Sequence, residues 1–263
     1  MVQTIKKSVN AHIAELTLNR PAMLNSFNEE MHLELRDLLT WCLDTDDIKC
    51  IILTGEGKGF CAGQDLQDRA TKPGQEERVD LSLTVERHYN PLIRTLTSMP
   101  KPIIAAVNGV AAGAGASIAL ACDIVIAAKS ASFVQAFSKV GLVPDSGGTW
   151  SLPNAIGLPR ARALALLGEK LPAERAHQWG LIWNVVDDDK LLGEARAVAS
   201  ILCERAPLAI AETKRLMLEA CGDSLLNQLD KERVVMGKLG SSNDYREGVS
   251  AFLEKRPPQF KGS

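Results

Sequence analysis

Between residues 102 and 117 the chain reads Pro-Ile-Ile-Ala-Ala-Val-Asn-Gly-Val-Ala-Ala-Gly-Ala-Gly-Ala-Ser. Ile103 to Val107 is a β-branched and alanine run of the length of a buried strand. The remainder is almost all Gly and Ala and leads into Ile118-Ala119-Leu120-Ala121, which reads as a buried helix. A chain passing from strand to helix through residues this small supports two readings. One is close packing of a helix on a sheet. The other is a set of unpaired backbone N–H groups at a helix start, reinforced by the helix dipole. No side chain larger than a methyl crowds residues 111–116, so a substrate oxygen could reach such groups.

The neighbouring segments set that element in an α/β context. Ile13, Leu16 and Leu18 alternate with polar residues, as in two antiparallel strands turning near residues 9–12. Asn28 can cap a helix whose apolar positions Met31, Leu35, Leu38, Leu39 and Cys42 fall at helical spacing. Residues 48–54 read as a buried strand closed by Gly55-Glu56-Gly57, residues 80–98 as helical, and residues 123–128 as another strand. Residues 67–79 between them are polar and read as a mobile segment. This order of strands and helices argues for right-handed crossovers. Beyond residue 150 strand signals nearly vanish, and helices are expected over 159–168, 173–179, 188–205, 207–219, 224–240 and 242–256. The expected organisation is an α/β core over residues 1–195 and a helical region over 196–263.

Composition removes several function classes. A net charge of −2 gives no support for nucleic-acid or anionic-membrane binding. No stretch approaches the ~18 uninterrupted apolar residues of a membrane span, and no apolar leader follows the N-terminal lysines. The six cysteines form no Cys-x-x-Cys pair and read as reduced residues of a cytoplasmic protein. The four histidines never fall at metal-ligand spacing, so no metal is expected.

Two further stretches have the residue types for chemistry. Lys58-Gly59-Phe60-Cys61-Ala62-Gly63-Gln64-Asp65-Leu66 is a second small-residue turn directly after a strand. It reads either as a loop with an exposed Asp65 or as the presenter of an N–H at Gln64 or its neighbours. Two converging N–H donors would make an oxyanion hole, worth on the order of 3 kcal/mol per donor. The third stretch, residues 133–149, contains Asp145, the one acidic residue between Asp123 and Glu169. An Asp before Ser-Gly-Gly reads as a helix cap or Asx-turn residue. It also reads as an acid/base in apolar surroundings.

Taken together, Asn19-Arg20-Pro21, the 59–66 turn, residues 108–115 and the 140–149 loop resemble, in order and spacing, the crotonase (enoyl-CoA hydratase/isomerase) superfamily, over essentially the whole chain. Residues 85–92, 136–139, 145–150 and 244–252 are similar to its isomerases of ring-epoxidised aryl thioesters. The resemblance implies an α/β spiral of ββα repeats with a helical C-terminal trimerisation region, in a homotrimer or a dimer of trimers. It implies an acyl-CoA thioester substrate and no cofactor, the CoA being part of the substrate.

The resemblance also carries residue roles. The thioester C=O is expected to accept from the N–H groups of Gln64 and of Ala114, the latter beside Gly113 at a position where the family usually has Gly. Hydratases of the family use two glutamates, and those positions here are Ser117 and Phe137, so hydration is disfavoured and Asp145 is the remaining acid/base. Arg20, Ala22 and Leu24 are expected near the CoA adenine, and Ala62, Asp65 and Leu66 along the pantetheine. Tyr89, Phe137 and residues 67–80 are expected as pocket walls. Phe252 and Lys255 are expected to come from a neighbouring subunit. Three alternatives stay open: a hydratase, an aryl-CoA dehalogenase with a nucleophilic Asp in the same loop, and a non-catalytic acyl-CoA- or RNA-binding member.

Overall fold

Apolar/polar alternation at the N-terminus folds as an antiparallel hairpin of β1 (Ile5–Asn10) and β2 (Ile13–Leu18), with Ala11 at positive φ in the turn. The structure is a computed structural model describing residues 3–66 and 80–263. The 67–79 segment, read above as mobile, lies outside the described residues. The remaining strands are β3 (Cys50–Gly55), β4 (Gly59–Cys61), β5 (Ile103–Val107), β6 (Val110–Ala112), β7 (Ile124–Ala128), β8 (Ser132–Val134), β9 (Lys170–Pro172) and β10 (Asn184–Val186). They form two sheets: β1-β2-β3-β5-β7-β10, parallel beyond the hairpin, and a smaller β4-β6-β8-β9, parallel except for its last pair.

The helices are α1 (Glu29–Asp44), α2 (Leu81–Thr84), α3 (Asn90–Ser98), α4 (Ala114–Leu120), α5 (Gly148–Ile156), α6 (Leu158–Leu167), α7 (Ala173–Gln178), α8 (Leu191–Cys203), α9 (Pro207–Ala220), α10 (Leu225–Gly240) and α11 (Asn243–Glu254). One π-helical turn, Val85–Tyr89, joins α2 to α3. The chain repeats a three-part unit: a strand in the large sheet, a strand in the small sheet, then a helix. β5-β6-α4 and β7-β8-α5 are complete units, and β3 and β4 precede α2 and α3. In the first turn of the spiral an isolated bridge from Phe27 to Gln64 stands for the small-sheet strand between β2 and α1. This is the expected ββα spiral.

The segment 102–117 is therefore not a strand turning directly into a helix. A second strand, β6, intervenes and lies beside β4 in the small sheet. Close packing holds as well: a Cβ on Gly115 would lie 2.2 Å from the Cys61 carbonyl oxygen, so only glycine lets α4 sit this near β4. Gly115→Ala is expected to lower stability by about 2–3 kcal/mol, the upper range for overpacking, and the melting temperature by about 5–10 °C. A thermal melt within a degree of wild type would refute this.

Capping and burial account for the rest. The Asn28 side chain accepts from the Met31 N–H at 3.0 Å, and Met31, Leu35, Leu39 and Cys42 of α1 are buried. β3 and β5 are buried along their whole length, as their continuous apolar runs require. α8 covers β2, β3, β5 and β7, and its Arg196 clasps Glu15 of β2 with two hydrogen bonds of 2.6 and 2.8 Å. The division expected between residues 195 and 196 falls within this helix. Past it, α9 packs on α10 and α10 on α11, enclosing an apolar groove of about 610 Å³.

Candidate active site

The turn after β4 is tied at every peptide. Ala62 N–H donates to the Leu24 carbonyl (2.9 Å), Phe27 N–H to the Gly63 carbonyl (2.7 Å) and Asp65 N–H to the Phe27 carbonyl (2.9 Å). The last two bonds flank Gln64, so the N–H and C=O of Gln64 are turned to the opposite side, as a parallel bridge requires. The turn after β6 comes up against it. Gly113 (φ 53°, ψ −127°) opens α4, and its N–H donates to the Val134 carbonyl at 2.8 Å. A Cβ on Gly63, itself at φ +86°, would lie 2.8 Å from the Ala112 carbonyl and 3.3 Å from the Ala114 nitrogen. The peptides of Gln64 and Ala114 thus lie side by side at the ends of two hydrogen-bonded parallel strands. Ala114 is the first residue of a seven-residue helix, so its N–H has no partner within the helix.

Above this pair sit the residues of the 133–149 stretch. The Ser117 hydroxyl, one helical turn beyond Ala114, donates to the Asp145 carbonyl at 3.2 Å. The Phe137 ring comes within 3.8 Å of a Cβ placed on Gly113. Asp145 opens a turn closed by Gly148 N–H donating to its carbonyl (2.8 Å), with both central residues, Ser146 (φ 52°) and Gly147 (φ 79°), in the left-handed region. That is a type I′ turn. A non-glycine residue at positive φ marks a locally strained backbone. The cap of α5 is Gly147, so Asp145 is not the helix cap that one reading expected. Its half-buried carboxylate accepts from the Ser146 hydroxyl at 3.0 Å. Ser117 and Ser146 also line a cavity of about 270 Å³, together with Ile93, Trp150 and Asp123. Burial raises the Asp123 pKa, and its carboxylate accepts from Ile103 N–H (2.7 Å) and Lys214 Nζ (2.6 Å).

Asp65 is not exposed, contrary to one expectation. It is 4% accessible, and its carboxylate accepts from Arg20 at 2.8 Å. Arg20 also donates to the Ser26 carbonyl (2.5 Å), so its guanidinium braces the Gln64 turn from below. Ala22 and Leu24 are exposed on the adjoining helical turn Pro21–Met23 and its cap, and Leu66 is exposed beyond the turn. Ala62 is half-buried. Tyr89, expected as a pocket wall, is buried, and its hydroxyl donates to the Gln64 side-chain carbonyl at 3.0 Å. Phe252 is 83% exposed at the lip of the C-terminal groove, and Lys255 caps α11 in the left-handed conformation.

Two residues carry no assignment from sequence. Gln135 is fully buried beside Gly148, and its side-chain amide makes no hydrogen bond. Cys61 ends β4, and burial pushes its thiol pKa up to about 12, which removes it as a thiolate nucleophile. Among the described residues no group of three His, Cys, Asp or Glu gathers to hold a metal ion, and no helix is long and apolar enough to cross a membrane.

Two peptide N–H groups thus lie at adjacent strand ends, and the half-buried Asp145 and the uncharged Ser117 and Phe137 sit on the elements that adjoin them. The chain belongs to the enoyl-CoA hydratase/isomerase family, whose model matches residues 8–263. It is 53% identical, over the whole length of both chains, to the 1,2-epoxyphenylacetyl-CoA isomerase of Escherichia coli K12. It is 44% identical to a probable enoyl-CoA hydratase of Rhodobacter capsulatus, over 98% of each chain. The crystal structure of an enoyl-CoA hydratase from Bacillus anthracis superposes with a TM-score of 0.93 at 33% identity, over 99% of this chain and all of that one.

Proposed function

We propose that this chain is an acyl-CoA isomerase that converts ring-1,2-epoxyphenylacetyl-CoA to its oxepin-CoA isomer and also shifts a 3-enoyl-CoA double bond to the 2-position. The observation that carries this reading is Asp145 joined through its carbonyl to Ser117, with Phe137 against Gly113, one carboxylate where hydration chemistry would need two. The 53% identical isomerase supports the choice of acyl group.

In this mechanism the thioester oxygen accepts from the N–H groups of Gln64 and Ala114. Asp145 takes a proton from the carbon next to the thioester. The resulting enolate is stabilised where its charge develops, on that oxygen. The same carboxyl then returns the proton farther along the conjugated system, so nothing enters or leaves the substrate. With the ring epoxide, opening of the three-membered ring to the seven-membered one accompanies this shift. Arg20 and Asp65 act below the turn by holding it.

The apolar groove and the exposed Phe252 favour a homotrimer in which α11 of one copy reaches a neighbour. The test is to incubate the pure protein with the ring epoxide and, separately, with a 3-enoyl-CoA, and to follow product mass and NMR. Products of unchanged mass are expected from both. Crotonyl-CoA is expected to gain water at less than about 1% of the isomerisation rate, since a missing general acid/base costs roughly 10²–10⁴. A product 18 mass units heavier, formed at a comparable rate, would overturn the reading.

A further inference from the structure

We propose that Tyr89 is a positioning residue of the oxyanion turn: its hydroxyl holds the Gln64 side chain and so fixes the direction of the Gln64 N–H. This rests on the reading of Gln64 as an oxyanion donor. Tyr89 is 1% accessible, among the largest fully buried side chains of the molecule, and its hydroxyl donates to Gln64 Oε1 at 3.0 Å.

The geometry makes that bond directional. The two peptides flanking Gln64 are already tied to Phe27. A residue held only by its flanking peptides keeps one freedom, a tilt about the line joining them. For Gln64 that tilt would swing its N–H. Swinging it also carries Cα and the side chain, and would stretch the bond to Tyr89.

The far end of the bond is rigid. The Tyr89 ring lies edge-on to His32 (4.5 Å, 87°) and 6.4 Å from Phe27, while His32 lies 4.6 Å from Phe27 and stacks on His88 at 5.0 Å. Phe27 therefore serves twice, its backbone holding the turn and its ring joining the cluster that seats Tyr89. Tyr89 also ends the π-helical turn, in which Asn90 N–H donates to the Val85 carbonyl. That pattern admits one extra residue, and so rotates Tyr89 and all that follows relative to an unbroken α-helix. Such single turns recur at functional sites, and this one aims a phenol at the side chain of Gln64.

Tyr89→Phe keeps the ring and removes the hydroxyl, so it separates a positioning role from that of a wall. The expected result is a kcat about ten-fold lower with KM within two-fold, the scale of losing one net hydrogen bond. Gln64→Leu, which removes the acceptor but keeps the N–H, should do the same. Adding Tyr89→Phe to it should cost nothing more. An independent readout is the red shift of a bound chromophoric aryl-enoyl-CoA, which reports carbonyl polarisation without turnover. Wild type should show the shift, and each single variant and the double should show the same reduced shift, with melting temperatures within a few degrees. If wild type shows the shift and Tyr89→Phe keeps it in full with unchanged kcat, this inference falls alone. If Tyr89→Phe and Gln64→Leu add independently, Tyr89 does not act through Gln64 and the inference falls. If wild type shows no shift, the oxyanion reading falls and takes this one with it.

Discussion

Asp145→Asn will lower isomerisation by roughly 10²–10⁴, the range for removing a general acid/base, and leave thioester binding within a few-fold. The substitution suits the site. Asn keeps the size of the side chain and an oxygen that can still accept from the Ser146 hydroxyl, so the type I′ turn has no reason to open. The backbone contacts of residue 145, its carbonyl to Gly148 N–H and to the Ser117 hydroxyl, do not involve the side chain. What Asn cannot do is take a proton at neutral pH. Among the described residues, two carboxylates close to the site are already engaged: Asp65 is bound to Arg20, and Asp123 to Lys214 and the Ile103 N–H. Turnover of the 3-enoyl and epoxide substrates, measured beside equilibrium binding of a non-reacting acyl-CoA, checks this. Near-wild-type turnover would sink the assignment of Asp145.

Ala114→Pro is expected to cost at least ~10² in kcat/KM, the scale of one lost oxyanion donor, with little change in thermal stability. Residue 114 is the first position of α4, where proline's fixed φ fits and the missing N–H leaves no helical bond unmade. Gly113 before it already lies outside the helical region that a following proline disfavours. The substitution therefore removes one hydrogen from the site, and the ring carbon takes its place. Ala114→Gly keeps the donor and should change kcat/KM by less than two- or three-fold. A Pro variant with an unchanged melt and full activity would mean that the carbonyl oxygen binds elsewhere, and the Gly/Ala stretch would then serve packing alone.

The first five strands of the large sheet, α1 and the C-terminal helices were legible because each has enough residues to show a period. Ile103–Val107 of β5, the Asn28 cap and the helices expected over 207–219, 224–240 and 242–256 lie within a residue or two of expectation, while α8 starts three residues later than expected, after a 3-10 turn at Asp188–Lys190. The strand expected over 48–54 begins later, at Cys50, because Ile48 closes a turn with Thr45. The small sheet was not legible. Gly-Phe-Cys, Val-Ala-Ala and Ser-Phe-Val are too short for alternation to register, and β9 and β10 beyond residue 150 escaped for the same reason. α5 was hidden by two glycines at its start and by Pro153 within it. In the site, the peptide pair followed from motif order. The burial of Asp65 did not, because its partner Arg20 is 45 residues away. The Tyr89 bond to Gln64 depends on a π-helical turn, for which hydrophobic spacing has no signature.

The pairing of β4 with β6 has a consequence for how such a site can change. The two strands are parallel neighbours with one register shift between Gly59 and Cys61, and hydrogen-bonded strands keep a spacing of about 4.8 Å whatever their side chains, so the separation of the two amides is set by backbone pairing. In the proposed mechanism, the residues that decide the reaction hang from other pieces of chain: Ser117 from α4, Phe137 and Asp145 from the segment before α5. On that mechanism the polarising half of the chemistry is inherited with the scaffold. The proton-handling half can be exchanged one side chain at a time, and a carboxylate lost at one corner and gained at another changes the product without disturbing the grip on the thioester.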